Sequence, residues 1–98
     1  MQALDIVLLD LRALDILADF FIIMSAESHR HMRALKEILI LEIKKADLPS
    51  RHVEGSAESG WILLDLGGII VHIFAPTERD FYQLEQLWSD ALEVVRVL

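Results

Sequence analysis

Apolar residues are distributed along this chain in two different rhythms. From Ile6 to Leu11 and from Phe20 to Ser25 they are almost contiguous, in runs of strand length rich in β-branched or aromatic side chains. The pattern predicts two strands there. Between them, Arg12 to Asp19 mixes Leu, Ala and Asp without a period, and no conformation is assigned. After Ser28 the rhythm changes, and Met32, Leu35, Leu39, Ile43 and Ala46 recur at spacings of three and four, which predicts an amphipathic helix. Ser28 is placed to cap it, because its hydroxyl can accept from a free first-turn amide. The helix is expected to stop at Asp47 or Leu48, since Pro49 disfavours helical geometry in the residue before it.

Gly55 to Gly60 reads as a flexible loop. Trp61–Leu66 and Ile69–Phe74 then read as a hairpin closed by Gly67 and Gly68, which tolerate positive φ. Pro76 and Thr77 open a final predicted helix, with Thr77 and Asp80 at cap spacing and Phe81, Leu84, Trp88, Ala91 and Val95 as its apolar stripe. No repeat, low-complexity tract or linker interrupts the chain. Strands and helices interleaved in this way predict an α/β domain.

A two-residue turn pairs Leu66 with Ile69, Leu64 with Val71 and Ile62 with Ile73, all on one side of the hairpin. That side is wholly aliphatic and suits the helices. The other side carries Trp61, Leu63, Asp65, Ile70, His72 and Phe74, and is expected to stay open. Aromatic residues beside a charge on a rigid sheet have the composition of an interaction hot spot. The same residues would equally suit a core beneath a loop or in a homodimer, and the pattern favours neither.

Composition narrows the function. At 98 residues the chain is read as one domain spanning 1–98, and its 54% hydrophobic content suggests apolar surface to spare for a partner. No apolar run approaches the ~20 residues of a membrane span. Asp5 and Asp10 near the start, with no Lys, do not resemble a targeting peptide, so a cytoplasmic location is expected, or an organellar one if a targeting segment precedes Met1. The absence of Cys excludes disulfides, thiolate chemistry and Cys-based zinc sites. A net charge of −7 repels phosphate backbones, which argues against primary nucleic-acid binding and for a basic protein surface. His29 and His31 are two apart and point in different directions on a helix, so they read as a solvated helix start. His52 and His72 could join them only through the fold; no metal or other cofactor is expected.

Asp19-Phe20-Phe21-Ile22-Ile23, Ser28-His29-Arg30-His31, Val53-Glu54-Gly55, Trp61-Ile62-Leu63-Leu64-Asp65, Val71-His72-Ile73-Phe74, Glu78-Arg79-Asp80-Phe81-Tyr82 and Leu84-Glu85-Gln86-Leu87-Trp88 occur in an order that resembles the Iojap-like ribosomal silencing factors. The resemblance runs from about Asp5 to Ala91. It implies a mixed β-sheet of about five strands flanked by helices on one face, similar to nucleotidyltransferases but without their catalytic carboxylates. It also implies a non-enzymatic translational repressor that binds ribosomal protein fourteen on the large subunit and sterically blocks the small subunit from joining. Large-subunit biogenesis is the nearest variant. On this reading Trp61, Leu63, Asp65 and His72 become contacts, with Trp61 as the anchor and Ile70 and Phe74 beside them. A homodimer in isolation is an alternative use of the same face.

The match has departures. The chain starts almost at its first strand, where family members commonly begin with an extra helix. Gly68 stands in place of a usual aspartate, Ala26 in place of a glycine and Leu66 in place of a tyrosine. The competing reading from another class, a nucleotidyltransferase-type enzyme, needs carboxylates converging on a metal beside a phosphate loop. Asp5, Asp10 and Asp19 are scattered, and no phosphate-loop or nucleophile-elbow motif occurs.

Overall fold

A computed structural model of the chain describes residues 4–14, 18–48, 52–82 and 92–97. The described strands are β1 (Leu4–Asp10), β2 (Phe20–Ser25), β3 (His52–Ser56), β4 (Trp61–Asp65), β5 (Ile69–Phe74) and β6 (Leu92–Val97). Among the described residues two α-helices accompany them, α1 (His29–Lys45) and α2 (Pro76–Tyr82). The strands form one mixed sheet in the order β3-β4-β5-β2-β1-β6. Among the described strands only β2 and β5 run parallel; every other neighbouring pair is antiparallel. No described helix is long and apolar enough to cross a membrane.

Three of the helix ends have a local cause. Ser28 accepts from the His31 amide at 3.1 Å and caps α1. At the other end Asp47 takes a left-handed conformation, φ 56°, while Leu48 N–H reaches Ile43 O and Asp47 N–H reaches Lys44 O, both at 3.1 Å. These two bonds form a Schellman motif, which ends the helix at Lys45, two residues before the earliest stop expected from Pro49. In α2, Pro76 occupies the first helical position, where a missing amide hydrogen costs nothing, and the Ala75 carbonyl accepts from Arg79 N–H at 2.9 Å. The helix therefore starts one residue before the Thr77 cap position.

The hairpin has the expected register, with Ile62 opposite Ile73 and Leu64 opposite Val71. Gly67 closes it with φ 96°. The aliphatic side of β4 and β5 forms a core with Met24 of β2 and with Met32, Leu35 and Ile43 of α1. Ile62, Leu64 and Ile73 are at most 1% exposed, and each contributes about 2 kcal/mol by burial.

Two expectations need correction. His52–Ser56 is an edge strand, so the Gly55–Gly60 segment is not wholly a flexible loop. All five β3 residues are exposed, so no alternation marks the strand; pairing with β4 creates it. Gly55 sits at φ 83°, and a Cβ there would collide with the Trp61 carbonyl oxygen, so only glycine fits this approach. Ser59 holds the following turn by donating its hydroxyl to Ser56 O at 2.7 Å. The second correction is at the C-terminal side: Val95 belongs to β6, which pairs with β1, and not to a helical stripe. Leu84, Trp88 and Ala91 lie outside the described residues.

Arg79 joins α2 to the sheet. Though only 7% exposed, it donates to Asp5 O at 2.7 Å and Ser25 Oγ at 2.9 Å, with the Asp5 carboxylate 3.3 Å away. Asp5 makes its carbonyl available through a left-handed backbone, φ 45°, at an irregularity in the β1 register. Arg79→Ala is expected to lower unfolding free energy in urea by about 3 kcal/mol, and Arg79→Lys by less, because truncation strands buried acceptors that a lysine can partly satisfy. Equal stability of wild type and Arg79→Ala would contradict this account.

Candidate functional site

Strands β4 and β5 place Trp61, Leu63, Asp65, Ile70, His72 and Phe74 on one side of the sheet, as cross-strand pairs Trp61–Phe74, Leu63–His72 and Asp65–Ile70. The six are brought together as expected, but they do not share one environment. Trp61, Leu63, Asp65 and Ile70 are partly buried, whereas His72 is 4% and Phe74 1% exposed. An open face is therefore corrected for those last two. The reason lies in strand order: β5 is flanked by β4 and β2, so its side chains sit in the sheet interior. Parallel pairing sets Phe21 beside Ile70 and Ile23 beside His72, and Val7 and Leu9 of β1 continue this second core.

The residues facing water border the sheet edge. Trp61 and Leu63 line a groove of about 280 Å³ with Glu54, Gly55 and Ser59. No hydrophobic pattern marks these last three, two in the exposed strand β3 and Ser59 in the turn after it; the available signal is a Gly and two Ser around a short turn leading into the Trp61 strand. Asp65 also has a local task, since its Oδ1 accepts from Gly67 N–H at 2.9 Å and closes the hairpin turn.

Trp61 connects the groove to the interior. Its indole Nε1–H donates to His72 Nδ1 at 3.1 Å, and its ring lies 4.9 Å from Phe74 at an interplanar angle of 32°. Phe21 meets His72 edge-on at 4.7 Å. Accepting at Nδ1 requires His72 to be neutral, with its proton on Nε2. Burial favours the same form and lowers the His72 pKa from 6.5 to about 4.

The remaining histidines divide. His29 is exposed, as a solvated helix start requires, but His31 is buried, a correction to that reading. Its Nδ1 accepts from Glu27 N–H at 2.9 Å, so it supports the start of α1. His52 bonds Glu54 at 2.8 Å on the exposed edge. Among the described residues no cluster of His, Asp and Glu with metal-site geometry occurs.

Residues 1–97 match the family model described as ribosomal silencing factor during starvation. The chain is 34% identical over 90 residues to the ribosomal silencing factor RsfS of Bacillus subtilis, covering 92% of this chain and 76% of that one. It is 39% identical over 89 residues to the RsfS of Haemophilus influenzae, covering 91% and 87%. A crystal structure of a Chromobacterium violaceum protein superposes with a TM-score of 0.84 at 32% identity, covering 90% of this chain and 73% of that one. Over 74 residues the chain is also 32% identical to mitochondrial assembly of ribosomal large subunit protein 1 of Mus musculus, covering 72% of this chain and 32% of that one.

The neutral, buried state of His72 has a consequence for stability. Its folded pKa lies below the unfolded value, so its contribution is complete above pH 6.5 and declines as pH falls towards 4. The total loss is on the order of 3 kcal/mol. The stability difference between wild type and His72→Gln, from urea unfolding at several pH values, is expected to shift against the wild type across that window. A difference independent of pH there would refute the neutral assignment.

Proposed function

The chain belongs to the ribosomal silencing factor family, and on that premise we propose that it represses translation by occupying the large ribosomal subunit. The proposed contact is ribosomal protein fourteen, and the effect is to prevent the small subunit from joining. The family match over residues 1–97 carries this reading. The cytoplasm is its proposed location, and its action is steric rather than catalytic.

The site supplies a physical basis. Trp61 is the anchor and Leu63 its apolar neighbour, both on a rigid strand and both partly accessible. Glu54 and Asp65 lie near them, and the molecule carries a net charge of −7. Such a field speeds encounter with a basic ribosomal protein and suppresses attraction to bare RNA. His72 and Phe74, being buried, support the contact from beneath. Assembly of the large subunit is a second reading, favoured by the name of the mouse relative.

Co-sedimentation with isolated subunits tests the proposal. Wild-type protein is expected to pellet with large subunits and not with small ones. Trp61→Ala should weaken retention by about 2 kcal/mol or more, roughly thirtyfold, when compared at a temperature where both proteins are folded. Folded wild-type protein that stays in the supernatant would reject the ribosomal reading.

Asp65→Asn removes a charge while keeping an oxygen for Gly67 N–H. Its affinity for large subunits is expected to fall about fivefold at low salt, with the deficit fading as salt rises. A salt-independent deficit would instead indicate damage to the turn.

A further inference from the structure

The indole of Trp61 has a single polar hydrogen, and an indole N–H can only donate. Here that hydrogen is directed inward, to His72 Nδ1. The acceptor is itself held from several sides. Phe21 meets the imidazole edge-on at 72°, and Phe74 lies parallel to it, within 8°, at 6.1 Å. At 4% exposure His72 offers a partner no surface.

This arrangement is not what packing alone would select. With Nδ1 engaged as an acceptor, the His72 proton sits on Nε2, and that nitrogen is buried without a hydrogen-bond partner among the described residues. An unpaired buried polar group destabilises a fold, and an aliphatic side chain of similar size would avoid the loss. What the imidazole does provide is an acceptor at a fixed point beneath Trp61. Without it the indole N–H would have to turn towards water to be satisfied, and a large side chain would have to be ordered again at each encounter.

Resting on the reading of Trp61 as the docking anchor, we propose that His72 is a positioning residue, whose buried ring holds the Trp61 indole through the Nε1–H···Nδ1 bond in the orientation presented to the partner. The partner then meets a preorganised ring beside Leu63 and the β3 edge. His72 contributes to affinity without touching what is bound.

The test pairs exchange of the indole hydrogen in the free protein with binding to large subunits. The chain has two tryptophans, so a protein labelled with ¹⁵N-tryptophan gives two indole signals, and Trp61→Phe identifies the one that matters. In wild type the Trp61 N–H is expected to exchange at least about tenfold more slowly than a free indole. His72→Gln, whose amide oxygen can accept, should keep that protection and bind within about threefold of wild type. His72→Leu should lose the protection and bind about tenfold more weakly, while its melting temperature is unchanged or higher.

Unchanged binding by His72→Leu, or equal losses in the Gln and Leu variants, would overturn the proposal. So would a wild-type Trp61 N–H that exchanges as fast as free indole, a result that decides the matter even if His72→Leu does not fold. Failure of the wild type to bind large subunits, with the exchange pattern as expected, would sink the ribosomal reading and leave the Trp61–His72 arrangement standing.

Discussion

Parallel pairing of β2 with β5 is the constraint on which the rest of the molecule depends. It inserts the hairpin's second strand into the sheet interior and places Phe21 and Ile23 beside Ile70 and His72. Both faces of β5 are then buried, one against α1 and one in the second core. The first strand of the hairpin, β4, is left one position from the edge, with only the short exposed β3 beyond it. A gradient of burial therefore runs across a single pair of strands, from Phe74 to Trp61.

That gradient separates two tasks. Residues at the buried end give the sheet rigidity, and residues at the exposed end are the proposed contacts. Trp61 spans the two, because an indole is large enough to rest on Phe74 and bond His72 while still lining the groove with Glu54, Ser59 and Leu63. Asp65 similarly serves the hairpin turn with one oxygen and stays partly accessible. On the proposed docking role, affinity and stability are coupled at these positions, and substitutions there need stability and binding measured together.

Polar groups in the interior perform specific joining work. Arg79 connects α2 to β1 and β2, at a point where Asp5 departs from regular strand geometry to offer its carbonyl. His31 accepts from the Glu27 amide and completes the capping of α1 that Ser28 begins. Neither role leaves a mark in the hydrophobic pattern. In a list of charged and titratable side chains, both residues look like solvated surface.

The chain's own sequence determined the elements whose causes are local. Ser28 and the spacing from Met32 to Ile43 define α1, and Gly67 with its flanking aliphatic runs defines the hairpin and its register. The succession of sequence segments from Asp19 to Trp88 also carried the family likeness. Tertiary structure alone decided which side chains face water. His72 and Phe74 alternate with their neighbours just as Trp61 and Leu63 do, and only strand order distinguishes a central strand from one near the edge. β3 likewise exists because β4 offers it hydrogen bonds, and Val95 is a strand residue because β1 does the same. Periodicity records the environment of a residue within its own segment; burial and edge pairing depend on which segments lie alongside, and that choice is made by contacts distant in sequence.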